Sequence, residues 1–537
     1  MLELPVARAV LRPSSVLRRL LSFGAVLLFA LLAIVHSIFV FSQVADEPIH
    51  VIAGLELLSH GSYSRELLHP PLARVFAAGP LFLLGARDNV RSNPVSDGNE
   101  VLWFANAYTR NLALARAAQL PFFLLAILVV YWWAQRAAVG TLAAILLVTQ
   151  PTILAHAALA TTDMAAAAMF VTALFVWRKY LEKPTWGVAA VLGACVGLSF
   201  LAKFSLLVFL PVCICLFLLW KRPEWRDVRH APLAVGVLAF VIWAGYAFSM
   251  HRLSDFGPHA QLLADAHLQR VPMLHQRISK VIAQTPLPLT EFVLGVDDLR
   301  IRNEAGSLGF LLGECRRNGW WYYFPAALAL KTPAPFILLV LIALARAVRQ
   351  RDREALLLFA CAGAMLVMSM PSNLNIGVRH VLPLIPILCI AVAWSLRMVS
   401  GKLRYAVAGL VVLQVLVVLR AHPDHLAYFN EFVHEPERTL LDSNLDWGQD
   451  LRRLEHVARE RGMKELKLSF YGSADLTRHD LPRLLPLHGE TTGWIAISEM
   501  NRNGIGFDRC QEAPFAWLEK YEPVSRVGKS IRLYYVK

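Results

Sequence analysis

Charge is scarce in this chain. Asp, Glu, Lys and Arg make up 17% of its 537 residues, against 56% apolar ones, where a soluble domain carries about a quarter charged residues. The deficit excludes a water-soluble globule. Internal repeats and low-complexity segments are missing, and no inverted repeat of the kind that builds many transporters is visible. Cysteine is sparse, seven in all. Cys195, Cys213, Cys215, Cys361 and Cys389 fall inside apolar runs, where a thiol serves as a small hydrophobe. Cys315 and Cys510 fall in polar stretches, and an oxidising compartment would permit a disulfide between them.

What is present is a series of apolar runs close to the roughly 20 residues that a bilayer-crossing helix needs. Eleven spans are predicted: Leu20–Phe41, Leu112–Ala134, Val139–Leu159, Met164–Lys179, Trp186–Ala202, Phe204–Trp220, Pro232–Ser249, Tyr323–Ala345, Ala355–Met370, Val381–Leu396 and Tyr405–Leu419. Leu72–Leu84 is too short to span and is expected to lie along the surface or to re-enter.

The 53 Lys and Arg outnumber the 39 Asp and Glu, for a net charge of +14. The cations sit in short clusters in alternate gaps: Arg136; Arg178, Lys179 and Lys183; Lys221, Arg222, Arg226 and Arg229; Arg346, Arg349, Arg351 and Arg353; Arg397, Lys402 and Arg404. This is the positive-inside pattern, so the charge reads as topology and contact with anionic headgroups, with no nucleic-acid partner. Arg8, Arg12, Arg18 and Arg19 precede a first run too long for a signal peptide and without a small-residue cleavage site. An uncleaved first helix with a cytoplasmic N-terminus is expected, and an odd span count puts the C-terminus outside.

The predicted fold is therefore an α-helical polytopic membrane protein of about eleven transmembrane helices, N-in and C-out, with a small C-terminal α/β extracytoplasmic domain. The membrane domain covers residues 1–420, with large outer loops at 42–110 and 250–321 that should hold short helices; the tail covers 421–537. In the tail, Leu451–Arg461 reads as an amphipathic helix ending at Gly462. Leu466–Tyr471 and Trp494–Ser498 read as strands. Val524–Val527 and Ile531–Val536 form a hairpin about Gly528-Lys529-Ser530.

Ionisable residues at membrane depth are functional candidates by default, and parity gathers them at the outer face. Asp46 and Glu47 follow the first span, Asp163 follows the third, Lys203 lies between the fifth and sixth, Lys331 lies in the outer half of the eighth, and Arg379-His380 open the tenth. Each has a plain alternative. Either lysine can snorkel to headgroups, Asp163 after Thr161-Thr162 can cap a helix, and Arg379-His380 can cap the tenth span. Independent alternatives would scatter these residues over both faces. Collected in one layer, the carboxylates suit a base that deprotonates a hydroxyl. The cations suit a phosphate group and the charge growing on it as it leaves.

These residues resemble motifs of the C-type glycosyltransferase superfamily of integral membrane enzymes, most nearly its bacterial protein O-mannosyltransferase and aminoarabinose transferase branch. The resemblance runs in order along nearly the whole chain: Asp46-Glu47, His69-Pro70-Pro71-Leu72, Thr162-Asp163, Leu201-Ala202-Lys203-Phe204-Ser205, Tyr322-Tyr323-Phe324-Pro325 with Lys331-Thr332-Pro333, and Arg379-His380-Val381-Leu382-Pro383, where relatives often carry Tyr at the position of His380. Leu441 to Asp450 looks like a subgroup signature.

The resemblance implies a phospholipid carrier-dependent glycosyltransferase in the bacterial inner membrane, with its active site extracytoplasmic. It would take a polyprenyl-phosphate sugar donor and an acceptor that is a protein, a lipid or a glycan. Asp46 would be the general base, with Glu47 beside it; Asp163 would orient the acceptor or hold its loop; Lys203, Lys331 and Arg379 would meet the lipid phosphate, with His69 and His380 binding substrate. A single displacement predicts inversion. The alternative is a transporter or flippase for a phosphate-bearing lipid.

No cofactor is singled out, and a divalent metal is possible at a partial site of Glu47, His50 and His69 with a loop histidine. His251, His259, His267 and His275 recur every eight residues, which drifts about 80° per step on a helix, so they are not a ligand set. Trp320 to Tyr323 reads as an interfacial aromatic belt, some of whose rings could line a sugar site, and Asp442 to Asp450 as structural caps for a helix near Gly448, with contact to the acceptor as the alternative.

Overall fold

The apolar runs fold into helices, and proline decides where several of them break. The computed structural model describes residues 13–89, 92–221, 224, 228–256, 284–487, 489–508 and 514–537. Among these, four helices are long and apolar enough to cross a membrane: Leu21–Val40, Tyr108–Gln135, Asp163–Glu182 and Gly401–Ala421. Two bent pairs raise this to six if each is one span. Gly140–Val148 meets Pro151–Ala157 at 73°, and Tyr323–Lys331 meets Ala334–Gln350 at 113°. Leu72–Leu83, Trp186–Ala202, Leu206–Trp220, Ala231–Gly245 and Leu384–Ser395 are shorter apolar helices.

The predicted eighth span, Tyr323–Ala345, is thus two helices rather than one. A residue before proline is pushed out of the helical region, and Thr332, ahead of Pro333, is extended with ψ 134°. Gln150, ahead of Pro151, does the same with ψ 113°. The alanine-rich helix Asp163–Glu182 runs through the middle of the bundle, where its small side chains let neighbours close in, and Ala165 to Ala168 are fully buried.

The first of the predicted outer loops is built from helices Glu47–His60, Leu72–Leu83 and Pro94–Leu102. The first two cross where Gly54 faces the backbone of Arg74. In the second loop, β1 (Met250–His251) pairs with β2 (Leu287–Pro288), helix Thr290–Ala305 follows, and β3 (Gly309–Leu311) pairs with β4 (Glu314–Arg316). His259, His267 and His275 lie outside the described residues.

The tail holds β5 (Glu465–Ser469), β6 (Arg483–Leu485), β7 (Gly493–Ser498), β8 (Ser525–Val527) and β9 (Ile531–Val536). They form one mixed sheet in the order β6-β5-β7-β9-β8. Helix Leu451–Glu460 buries Leu451, Leu454 and Ala458 against Leu466, Ala496 and Leu533. The sheet is fastened to the membrane part through backbone: Ser42 N–H donates to the Gln449 carbonyl (3.0 Å) and Ala45 N–H to the Trp447 carbonyl (2.9 Å). Cys315 is disulfide-bonded and the five cysteines of the apolar runs are free; Cys510, the expected partner, lies outside the described residues.

Candidate functional site

Four charged side chains from four separate segments form one connected line. Asp46 ends the stretch after the first helix, with its carboxylate 31% exposed. Arg379, in the 3-10 turn Val378–Val381, donates from Nη1 to Asp46 Oδ2 at 3.0 Å. The same nitrogen lies 3.7 Å from Asp163 Oδ2. Lys203, in the tight turn after Trp186–Ala202, donates to Asp163 Oδ1 at 2.5 Å. Asp163 is the first residue of its helix, after the cap position Thr162; its oxygens serve Lys203, Arg379 and Thr161, whose hydroxyl donates at 3.2 Å, and lie 3.6 Å from His156 Nδ1. Its side chain is thus engaged by these partners as well as standing in the first turn of the helix.

This line borders a cavity of about 410 Å³. Asp46, Arg379 and His380 form part of its wall, with His50 and His69 from the first outer loop, Arg74 from the following helix, and Asp442, Trp447 and Tyr471 from the tail. Arg379 stacks over the Trp447 ring at 4.3 Å. Arg74 is fixed by His50 Nδ1 (3.0 Å), the Tyr63 hydroxyl (2.7 Å), the Glu66 carbonyl (2.7 Å) and the Glu66 carboxylate.

The charge balance of the wall follows from burial. Burial, helped by the Lys203 and Arg379 charges, pushes His69 down to about 4 and holds His380 well below its usual value. Burial and Arg74 do the same to His50. All three rings are neutral at pH 7. Burial also works against the Arg379 charge, but Asp46, Asp163 and Asp442 together more than offset it, and its pKa is raised. His50 Nε2, His69 Nδ1, His380 Nε2 and Arg379 Nε are buried with no hydrogen-bond partner among the described residues. The wall thus offers the guanidinium of Arg379, that of Arg74 held by Glu66, that of Arg302, and neutral imidazole edges. That set suits an anionic oxygen-rich group such as phosphate.

Four expected site residues do not line the cavity: Asp163 and Lys203 pair with each other behind Arg379, and Glu47 and Lys331 stand apart from it. Glu47 is fully buried and turned away from it: Arg116 donates to both of its oxygens (2.7 and 2.8 Å), as do the N–H groups of Val44 (2.8 Å) and Ala160 (2.9 Å). It ties the first loop to later helices. Lys331 ends helix Tyr323–Lys331, not the wall of a span, and donates to the carbonyls of Leu426 (2.8 Å) and Asn444 (2.5 Å). Its protons fasten the tail and do not face the cavity.

The suggested metal set Glu47, His50 and His69 does not assemble, because Glu47 is committed to Arg116. Among the described residues no group of three or more His, Cys, Asp or Glu is placed to hold a metal ion. A larger hollow of about 970 Å³, lined by Asp88, Glu100, Trp103 and Arg478, lies away from the charged line.

Sequence reading missed other members. Trp320 and Tyr323 are buried, while Trp321 and Tyr322 are exposed, so only half of that run can serve as a belt. In the tail signature, Asp450 stands at the N-terminal cap of Leu451–Glu460, but its side chain makes no capping bond. It accepts from Lys529 N–H (3.0 Å) and Ser530 N–H (3.1 Å) in the β8–β9 turn. Asp442 and Trp447 line the cavity, which agrees with the alternative to capping for that stretch. Burial pushes the Asp442 carboxyl up to about 6, with Arg379 pulling the other way. Arg74 had a signal: a lone arginine inside an apolar helix directly after His69-Pro70-Pro71.

Residues 105–247 match the family model for dolichyl-phosphate-mannose-protein mannosyltransferase. No curated protein matches the chain. Among solved structures, ArnT from Cupriavidus metallidurans bound to undecaprenyl phosphate aligns with a TM-score of 0.50 at 13% identity, over 95% of this chain and 97% of that one. Its apo state aligns with a TM-score of 0.50 at 14% identity, over 97% and 98%. The archaeal oligosaccharyltransferase AglB from Archaeoglobus fulgidus, in complex with an inhibitory peptide and a dolichol-phosphate, gives 0.46 at 12% identity, over 96% and 74%. The family model and the ArnT fold both fall where the motif resemblance pointed, among the C-type membrane glycosyltransferases.

Proposed function

We propose that this chain is a membrane glycosyltransferase that moves a sugar from a polyprenyl-phosphate donor to an acceptor hydroxyl at the outer face of the bacterial inner membrane. The observation that carries the reading is the line Asp46–Arg379–Asp163–Lys203 beside one cavity. The family-model match and the ArnT fold support it.

Each residue then has a task set by its surroundings. Asp46 takes the proton of the acceptor hydroxyl as that oxygen attacks the anomeric carbon. The bond from that carbon to the phosphate oxygen breaks, and the electron pair stays on the phosphate. Arg379 stabilises the growing charge, and Arg74 and the neutral histidine edges hold the remaining oxygens. Polyprenyl phosphate leaves as a stable anion, so a strong general acid is not needed. Asp163 and Lys203 hold Arg379 in place from behind. One base on one face gives inversion.

The test is reconstitution in lipid with a radiolabelled polyprenyl-phosphate sugar and a crude envelope fraction as acceptor. Wild type transfers label, and Asp46→Asn, folded to the same melting temperature, transfers roughly 100-fold less or worse. Equal transfer by the two proteins would remove Asp46 as the base.

A further inference from the structure

Of the two tail acids on the cavity wall, Asp508 is paired with Arg317, and Asp442 is left unused by the reaction. Asp442 opens the turn Asp442–Asn444 with a φ of +58°. Non-glycine residues adopt this left-handed region rarely, Asp more readily than most. Such conformations persist where neighbours hold them, often at binding sites. Here the neighbours are explicit. Ser443 Oγ donates to the Ile376 carbonyl at 2.6 Å. Val378 N–H donates to Asn444 Oδ1 at 3.0 Å, and Asn444 Nδ2 donates to the Tyr323 hydroxyl at 3.1 Å. The turn is therefore pinned to the segment that carries Arg379.

The bonding of the carboxylate is incomplete. Among the described residues its hydrogen bonds come from the adjacent Ser443, the N–H at 2.5 Å and the side chain. Arg379 spends its ion pairs on Asp46 and Asp163. An Asp side chain has about four acceptor positions, so most of those on Asp442 are open toward the cavity that it lines with Asp46. The membrane part supplies the base and the cations; the tail supplies a second acid and the adjoining Tyr471, Met500 and Ile505.

We propose that Asp442 binds and orients the acceptor, through a second O–H or N–H that lies beside the hydroxyl whose proton passes to Asp46. The inference deepens the glycosyltransferase reading and rests on it. It defines the acceptor class: a molecule with a further hydrogen-bond donor next to the nucleophilic hydroxyl, as in a polyol. It also gives the tail a role in acceptor selection.

Asp442→Gly tests this without backbone strain, because glycine is at ease at positive φ; Asp442→Asn keeps the shape and removes the charge. The expected result for Asp442→Gly is a melting temperature equal to or above wild type, undecaprenyl phosphate affinity within twofold, and a tenfold or greater rise in the half-saturating concentration of envelope fraction. Asp442→Asn should show a smaller rise in the same quantity. Unchanged half-saturation in both variants overturns the inference, as does a parallel loss of undecaprenyl phosphate affinity and folding, which would mark a structural role. A wild-type protein that binds undecaprenyl phosphate and transfers label while Asp442→Gly matches it defeats only the role of Asp442. A wild type that does neither defeats the reading of the site as well.

Discussion

Asp46 and Glu47 are neighbours in sequence and opposites in the fold. Successive residues at a helix start point about 100° apart, so one carboxylate faces the cavity and the other faces the interior. Glu47 sits among apolar helices with Arg116 on both oxygens, and neither is exposed. A buried pair of this kind is costly to break, because the remaining charge has no water to return to. Glu47→Gln should therefore destabilise by about 3–5 kcal/mol, while any folded protein keeps its acceptor half-saturation. Glu47→Gln combined with Arg116→Met should recover much of that loss. Thermal unfolding in detergent reads both; a Glu47→Gln protein with wild-type stability and no transfer would return Glu47 to the catalytic group. The residues showed a pair of acids and only the family resemblance singled out Asp46, because the partner that commits Glu47, Arg116, lies 69 residues away. The same limit hid Lys331: its type and depth suggested phosphate, and only the folded tail supplies the carbonyls of Leu426 and Asn444 that occupy it.

Helices were legible as apolar runs, but their breaks were not. Pro151 and Pro333 stood in the sequence, and each run was long enough to pass for one span, so length outweighed the proline signal. The hairpin β8–β9 was legible because Gly528-Lys529-Ser530 sits between two alternating segments; β6 was not, since its three residues carry no alternation. Element packing also sets the site. An added Cβ on Gly54 would fall 2.1 Å from the Arg74 carbonyl oxygen, so helices Glu47–His60 and Leu72–Leu83 cross at a distance only glycine permits. That crossing brings His50 to Arg74. Gly54→Ala should force the helices apart, destabilise by about 1–3 kcal/mol and lower transfer about tenfold by moving Arg74 off the cavity wall. Gly24→Ala, where nothing lies within 4 Å, is the control and should be neutral. Equal behaviour of the two variants would show that the crossing has slack.

At the scale of the molecule, the cations of the predicted inner gaps and the charged line occupy opposite ends of the same helices. Asp163 and Lys203 meet where Asp163–Glu182 begins and Trp186–Ala202 ends. The other end of the first helix holds Glu182, which Arg136 reaches at 2.8 Å and Arg178 at 2.9 Å, and Arg178 also meets Glu354 at 2.5 Å. Twenty helical residues separate these two layers by about 30 Å, which is one hydrocarbon thickness. The geometry fixes which groups share a side, and the positive-inside rule then says which side it is. In a cysteine-free background, Glu490→Cys in the tail should react with a membrane-impermeant maleimide on intact spheroplasts, and Lys402→Cys should react only after permeabilisation; both positions are exposed. The reverse pattern would leave the cavity and its chemistry intact but turn it toward the cytoplasm. The donor would then be drawn from the inner leaflet, and the excess of cations would face outward against the charge rule. The labelling therefore tests the outer-face assignment separately from the reaction.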